Sequence, residues 1–336
     1  MDPAAGELVW VSGLEDAAEV HLGWGFACAR RSAGGVVCWG GDRSGQLGDG
    51  IVHSGATFVS GPVPVVELTD VVALAVGDEH ACARLAAGSV RCWGEGHLAQ
   101  LGDGIAHYYP DPTGAAVPVD VIDTDGSVLF GVTQIAAGAQ HSCALKSDRT
   151  VWCWGMGLDG QLGDGSFHPG FEGAGVVREV TQVLGMDDAV QISAGGRQTC
   201  AVRESGRVAC WGSTGVGPST ANATDICGSE GAVQVSVGDT HVCALLDSGK
   251  VRCWGYGGSG NLGDGLAYDV SPSGSASPVS VVGLNDAREV AAGSLQTCAK
   301  TAAGKLYCWG DGRYGAFGTQ AVESSNVPLE INGVEL

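Results

Sequence analysis

Cysteine, histidine and aspartate are the residues of this chain best suited to chemistry, and each recurs at a fixed place. Twelve of the 13 cysteines form six pairs ten residues apart: Cys28 and Cys38, Cys82 and Cys92, Cys143 and Cys153, Cys200 and Cys210, Cys243 and Cys253, Cys298 and Cys308. Such pairs are able to close disulfides; the alternative is that Cys serves as a small buried residue. Cys227 has no mate at this spacing, which leaves a free thiol, an intermolecular link or an inert buried residue. His80, His141 and His241 each stand two residues before a cysteine, where Phe26, Gln198 and Gln296 occupy the other copies. Metal ligation needs convergent donors, and equivalent positions on separate repeats lie too far apart, so local hydrogen bonding within each repeat is the expectation. Asp49, Asp103, Asp164 and Asp264 sit in Gly-Asp-Gly loops. Calcium takes about six to eight oxygens, several from one loop, whereas each loop here offers one carboxylate, so these read as turn residues. The chain has no Gly-x-Ser-x-Gly elbow, no phosphate-binding Gly-Lys-Ser/Thr loop and no His-Glu-x-x-His. No catalytic, cofactor-binding or metal residue is therefore expected, and no enzyme.

These residues need elements to hold them, and the third copy shows which. Two short apolar strands flank a turn in residues 134–155. With Cys143 opposite Cys153, Leu145 faces Val151 and Ser147-Asp148-Arg149 becomes a three-residue hairpin loop. Such loops end on a residue with positive φ, a place that favours glycine. Gly34, Gly88, Gly206, Gly249 and Gly304 stand there in the other copies, and Arg149 is the departure. This register sets each cysteine pair across two antiparallel strands, with Cα atoms about 4.5–5.5 Å apart, within reach of a disulfide. Six cross-strand disulfides, and so an oxidising compartment, are the stronger reading. The short loops limit each bridge to about 2–3 kcal/mol.

Each second cysteine opens Cys-Trp-Gly, and a Gly-Gln-Leu-Gly-Asp-Gly loop or a relative of it follows at 45–50, 99–104, 160–165 and 260–265, worn down at 315–318. A polar, Pro-bearing segment and an apolar strand such as 278–284 complete the unit. The first cysteines lie 43 to 61 residues apart, so the chain is an array of six units burying a core between neighbours. The six tryptophans of Cys-Trp-Gly are expected to pack between units. Residues 8–14 and 327–334 both read as the connecting strand, one more than six hairpins require.

Taken together, Ala-Gly-x-x-His, an apolar hairpin, Trp-Gly and Gly-Gln-Leu-Gly resemble the repeat of the regulator of chromosome condensation family, over essentially the whole chain. The resemblance implies an all-β fold: a β-propeller of six or seven blades built from short antiparallel strands. One blade would come from each repeat of about 55 residues. A single repeat-built propeller over residues 1–336 is expected, with hairpins at about 22–40, 76–94, 137–155, 194–212, 237–255 and 292–310. The paired cysteines depart from the eukaryotic pattern and look like bacterial surface or secreted versions. The Gly-Trp-Arg-His-Thr signature of light-sensing members is absent, and Gly23-Trp24-Gly25 is a lone partial echo.

Charge narrows the partners. With 37 acidic against 17 basic residues the net charge is −20, and Arg30-Arg31 is the only adjacent basic pair. Nucleic acid and anionic lipid would repel such a surface. No apolar run approaches the roughly 20 residues of a membrane span. Residues 1–7 lack the basic and apolar regions of a leader, so export would require one removed or lying upstream. The reading is a non-enzymatic protein-interaction scaffold without cofactor, disulfide-braced and extracellular, periplasmic or at the cell surface, with a cytoplasmic location as the alternative. Segments 51–64, 105–118, 166–179 and 266–278 would form its recognition face. Their anchors would be His53, Phe58, His107, Tyr108, Tyr109, Phe167, His168, Phe171 and Tyr268. Packing of these side chains back onto the propeller is the equal alternative. The resemblance also admits guanine-nucleotide exchange on a small GTPase, or inhibition of an enzyme by a secreted protein.

Overall fold

The computed structural model describes residues 11–53, 58–107, 114–168, 177–213, 215–268, 273–313, 316–317 and 324–331. Their strands form six four-stranded antiparallel sheets, the blades of a six-bladed β-propeller fold. Sheet 1 is β1 (Ala17–Leu22), β2 (Phe26–Arg31), β3 (Val36–Gly40) and β4 (Val59–Pro64). Sheet 2 is β5 (Val71–Val76), β6 (His80–Leu85), β7 (Val90–Glu95) and β8 (Gly114–Asp120). Sheet 3 is β9 (Val132–Ala137), β10 (His141–Lys146), β11 (Val151–Gly155) and β12 (Val177–Gln182). Sheet 4 is β13 (Ala189–Gly195), β14 (Arg197–Arg203), β15 (Val208–Ser213) and β16 (Thr220–Asp225). Sheet 5 is β17 (Ala232–Val237), β18 (His241–Leu246), β19 (Val251–Tyr256) and β20 (Gly274–Ser280). Sheet 6 is β21 (Ala287–Ala292), β22 (Gln296–Thr301), β23 (Leu306–Asp311) and β24 (Ser324–Ile331). In every sheet the strands pair in chain order.

The chain divides into two compact units. One comprises Val11–Ile192 with Thr220–Ala223 and holds sheets 1 to 3. The other comprises Ser193–Ser219 and the chain from Thr224 on, and holds sheets 5 and 6 with the central strands of sheet 4.

The hairpin register follows the cysteines: Cys143 pairs with Cys153 and Leu145 with Val151. All six pairs are disulfide-bonded. Cys28 joins Cys38, Cys82 joins Cys92 and Cys143 joins Cys153. Cys200 joins Cys210, Cys243 joins Cys253 and Cys298 joins Cys308. One expectation needs correcting: the pairs stand closer than the 4.5–5.5 Å read from strand geometry. The Cα–Cα distance is 4.1 Å for Cys200–Cys210 and for Cys298–Cys308, and 4.0 to 4.1 Å for the other four. The reason lies in the ladder. Each hairpin loop closes with a backbone bond such as Arg31 N–H to the Gly35 carbonyl, and bonded and non-bonded pairs alternate from there. Each cysteine pair falls on the non-bonded kind, which is the closer one. Cys227 is a free, exposed thiol.

At the end of the hairpin loop Arg149 takes φ 68°, and the five glycines at that place take φ between 74° and 89°. β24 is the connecting strand read at the C-terminal end. Of the matching strand read at 8–14, residues 8–10 lie outside the described residues, and Val11–Leu14 make a turn rather than a strand.

Alternation along a strand puts Cys and the following Trp on opposite faces of each blade. In sheets 1, 2, 4 and 5 the cysteine face is covered by the Trp of the next sheet. Cys28, Cys38 and Leu47 share a core with Leu74, Ala81 and Trp93. Cys82, Cys92 and Leu101 share one with Ile135 and Trp154. Cys200 and Cys210 share one with Val235 and Trp254, and Cys243, Cys253 and Leu262 one with Val290 and Trp309. In sheet 6, Cys308 is buried while its mate Cys298 is only partly so. The Gly-Gln-Leu-Gly loop exists to receive the indole. Trp93 Nε1–H donates to the Gln46 carbonyl at 3.0 Å, Trp154 to that of Gln100 at 2.9 Å, and Trp309 to that of Asn261 at 3.0 Å. The second glycine of the loop must be bare: a Cβ on Gly102 would stand 2.8 Å from the Trp154 indole nitrogen, and its φ is +71°.

His80 and His241 belong to the same joint, and here an expectation needs correcting: their hydrogen bonds run to the next blade rather than staying within their own, because the ring points across the packed face onto the neighbouring strand. The Ser142 hydroxyl contacts the Gln100 carbonyl at 3.3 Å and His80 Nε2 at 2.8 Å. Thr297 stands likewise between the Asn261 carbonyl at 3.2 Å and His241 Nε2 at 2.6 Å. Since each hydroxyl donates to the carbonyl, it accepts from the histidine, which fixes a neutral Nε2–H imidazole. Burial holds these rings neutral: it pushes His80 and His241 down to about 4. Burial, with a smaller push from the His80 charge, takes His141 to about 3.

Candidate interaction surface

Antiparallel order places the first connection (β1 to β2, β5 to β6, β9 to β10) and the third (β3 to β4, β7 to β8, β11 to β12) at one edge of each sheet. The disulfide hairpins turn at the other edge. The bonded cysteines, Cys210 and Cys308 among them, stand in mid-strand and brace the blades rather than line this surface. The first edge carries the variable segments, and each Gly-Asp-Gly loop begins there in one way. The Asp Oδ1 accepts the N–H two residues on: Asp49 from Ile51 at 3.0 Å, and Asp103, Asp164 and Asp264 from Ile105, Ser166 and Leu266 at 3.1 Å. Its other oxygen holds the side chain four residues on: His53 at 3.2 Å, His107 at 2.9 Å, His168 at 2.8 Å and the Tyr268 hydroxyl at 2.7 Å. Burial, then the bond to Asp264, pushes the Tyr268 phenol up to about 12. The rings of His107, His168 and Tyr268 lie on Gly96, Gly157 and Gly257, where a Cβ would come within 2.6 Å of them.

These four side chains are thus latches within their own loops. Phe58 and Phe167 stand out into solvent, and Tyr108, Tyr109 and Phe171 lie outside the described residues. Sequence reasoning passed over other side chains that the latch turns outward. Ile51, Ile105 and Leu266, each two residues after the latch aspartate, are exposed. An apolar residue directly after Gly-Asp-Gly was the signal available for them.

The most exposed apolar group of the edge belongs to sheet 1. Leu22 is 75% exposed, Trp24 77% and Phe58 70%. Trp24 occupies the first connection, where its N–H donates to the Asp78 carbonyl of the neighbouring loop at 2.7 Å. The Phe58 ring lies beside Gly25 and Gly41. The exposure extends down β1. Val20 is 50% exposed, whereas Leu74, in the same register on β5, is 4% exposed. The neighbouring loops are acidic. Burial and the Glu95 carboxylate push Glu79 up, and the hydrogen bond that His97 donates to Glu95 raises His97. Exposed apolar surface rimmed by charge is the composition of a protein-binding site.

The repeat profile of the Regulator of chromosome condensation (RCC1) family matches residues 71–100, 132–161, 189–217, 232–261 and 287–316, and a second profile of the same repeat matches 87–145. The E3 ubiquitin-protein ligase HERC2 of Mus musculus is 30% identical over 195 residues, which is 57% of this chain and 4% of that protein. The mitochondrial RCC1 domain-containing protein RUG3 of Arabidopsis thaliana is 29% identical over 305 residues, 90% of this chain and 55% of that one. The chain thus spans only part of the curated relatives it matches. Among solved structures, human WBSCR16 superposes with a TM-score of 0.78 at 22% identity, covering 94% of this chain and 82% of that one. Prp20p of Saccharomyces cerevisiae gives 0.76 at 20% identity, covering 94% and 77%. At these identities the structural likeness speaks for the fold alone. With its repeats matched in register and its blades built as the motif requires, the chain belongs to the regulator of chromosome condensation (RCC1) repeat family.

Proposed function

We propose that this protein is a non-enzymatic binding scaffold, exported and braced by its disulfides, that receives a protein partner on the loop edge of its blades. The carrying observation is the apolar group of sheet 1, where Trp24 and Phe58 are 77% and 70% exposed beside acidic loops. Large aromatics held by short loops anchor interfaces at low entropic cost, and the acidic surroundings favour a partner with basic residues around an apolar centre. Six disulfides support an oxidising compartment. No described helix is long and apolar enough to cross a membrane. The fold has a precedent for carrying partners, since yeast RCC1 (Prp20) was solved bound to Kap60.

The test compares the wild-type chain with a Trp24→Asp/Phe58→Asp variant, immobilised without reductant and exposed to secreted proteins of the source cells. A partner retained by the wild type and lost by the variant, at unchanged melting temperature, supports the reading. A partner held equally by both proteins refutes this edge as the site.

A further inference from the structure

The latch of sheet 1 differs from its three sisters in one residue. After Trp-Gly, sheets 2, 3 and 5 place Gly96, Gly157 and Gly257 beneath the latch ring, and sheet 1 places Asp42 at that position. The Asp42 carboxylate is buried, 1% exposed. Its Oδ1 accepts the Leu47 N–H at 2.9 Å and its Oδ2 the His53 N–H at 3.0 Å. In sheets 2 and 3 the corresponding His107 and His168 N–H groups donate instead to the carbonyls of Gly96 and Gly157. Asp42 therefore adds a second carboxylate to a site that elsewhere has one.

His53 Nε2 stands 3.2 Å from Asp49 Oδ2 and 3.8 Å from Asp42 Oδ2, and donor atoms of all three residues lie within 4.8 Å of one another. Ligands about 2.0–2.2 Å from a tetrahedral metal ion stand about 3.3–3.6 Å apart, and the 3.2 and 3.8 Å separations from His53 lie on either side of that spacing. The charges also suit a cation. The groups acting on Asp42 are the Leu47 and His53 N–H groups, His53 and the opposing Asp49 carboxylate, and burial raises the Asp42 pKa. Two facing carboxylates, one of them buried, stand beside a single imidazole.

We propose that Asp42, Asp49 and His53 form a divalent metal site that takes a zinc-like transition ion, with the fourth position open to water. One nitrogen and two carboxylates suit zinc, whereas calcium would require more oxygens than these residues offer. The sister loops, with one carboxylate each, do not bind. The site is independent of the partner reading.

The experiment uses the full chain with Cys227 alkylated, stripped with chelator, and titrates zinc by calorimetry. One zinc per wild-type chain is expected, accompanied by a rise in melting temperature. Asp42→Gly installs the residue that three sister loops fold with, and His53→Gln keeps a donor for Asp49; both are expected to fold and to lose zinc. Asp103→Asn, which breaks a sister latch, is expected to leave the stoichiometry at one. Absence of zinc binding by the wild type overturns the proposal. So does undiminished binding by the Asp42→Gly and His53→Gln variants, or a stoichiometry that falls with Asp103→Asn.

Discussion

Acid should destabilise this protein through the three buried histidines, and the chain supplies its own control. His80, His141 and His241 titrate near 6.5 when unfolded, and burial moves them to about 4, about 3 and about 4 when folded. The unfolded chain therefore binds protons more tightly than the folded one. Stability is intact above 6.5, is lost as the pH falls through it, and the loss levels off once each folded ring also titrates. At pH 5 the linkage amounts to about 2 kcal/mol per histidine, or about 6 kcal/mol for three if they act independently. Gln198 and Gln296 occupy the same position in two other blades. Glutamine there can donate to the next blade's hydroxyl without titrating. The assay is denaturant unfolding without reductant at pH 7 and pH 5, followed through the fluorescence of the buried tryptophans. The wild type should lose more stability across this interval than a His80→Gln/His141→Gln/His241→Gln variant, by several kcal/mol. Carboxylate titration is common to both proteins and cancels in the difference. An equal acid loss in both would refute the buried, neutral state of these rings.

Two further outcomes follow from the joints between blades. Alkylation of the native protein without reductant should label Cys227 alone, and reduction should release the other twelve cysteines, read as intact mass; labelling of all 13 in oxidised material would overturn the disulfide framework. Gly102→Ala should cost more than Gly126→Ala. Both take positive φ, +71° and +83°, but only at Gly102 would the new Cβ meet an indole. Backbone strain costs each about 1–2 kcal/mol. The clash with Trp154 adds about 1–3 kcal/mol for Gly102→Ala, visible as a larger drop in melting temperature. Equal drops would mean the indole yields freely.

Much of the architecture is local and therefore legible in the sequence. A hairpin is closed by contacts ten residues apart, so the cysteine spacing and the glycine before each second strand sufficed to set Cys143 against Cys153 and Leu145 against Val151. The same spacing set Cys200 against Cys210 and Cys298 against Cys308. Arg149, the one residue out of pattern, adopts the positive φ of the glycines it replaces because the loop geometry demands it. The repeat of six such units carried the propeller, since each blade has one apolar face too many to stand alone.

The candidate surface was less legible because it depends on which way side chains turn after the strands have packed. Composition marked His53, His107, His168 and Tyr268 as contact residues. The tertiary structure turns all four inward, since an aspartate four residues earlier is held within hydrogen-bond reach and, in three of the loops, a glycine leaves a bare seat for the ring. Leu22 and Val20 carry the alternation of a core strand, yet both are exposed in the folded chain. Asp42 reads as an ordinary loop aspartate until the fold buries it against Asp49 and His53. Sequence determines what is set by neighbours a few residues away: register, turn and repeat. Shared acceptors such as the Gln100 carbonyl arise between blades, from residues some 40 to 60 positions apart, and exposure and the burial of Asp42 follow from packing, so only the folded chain decides them.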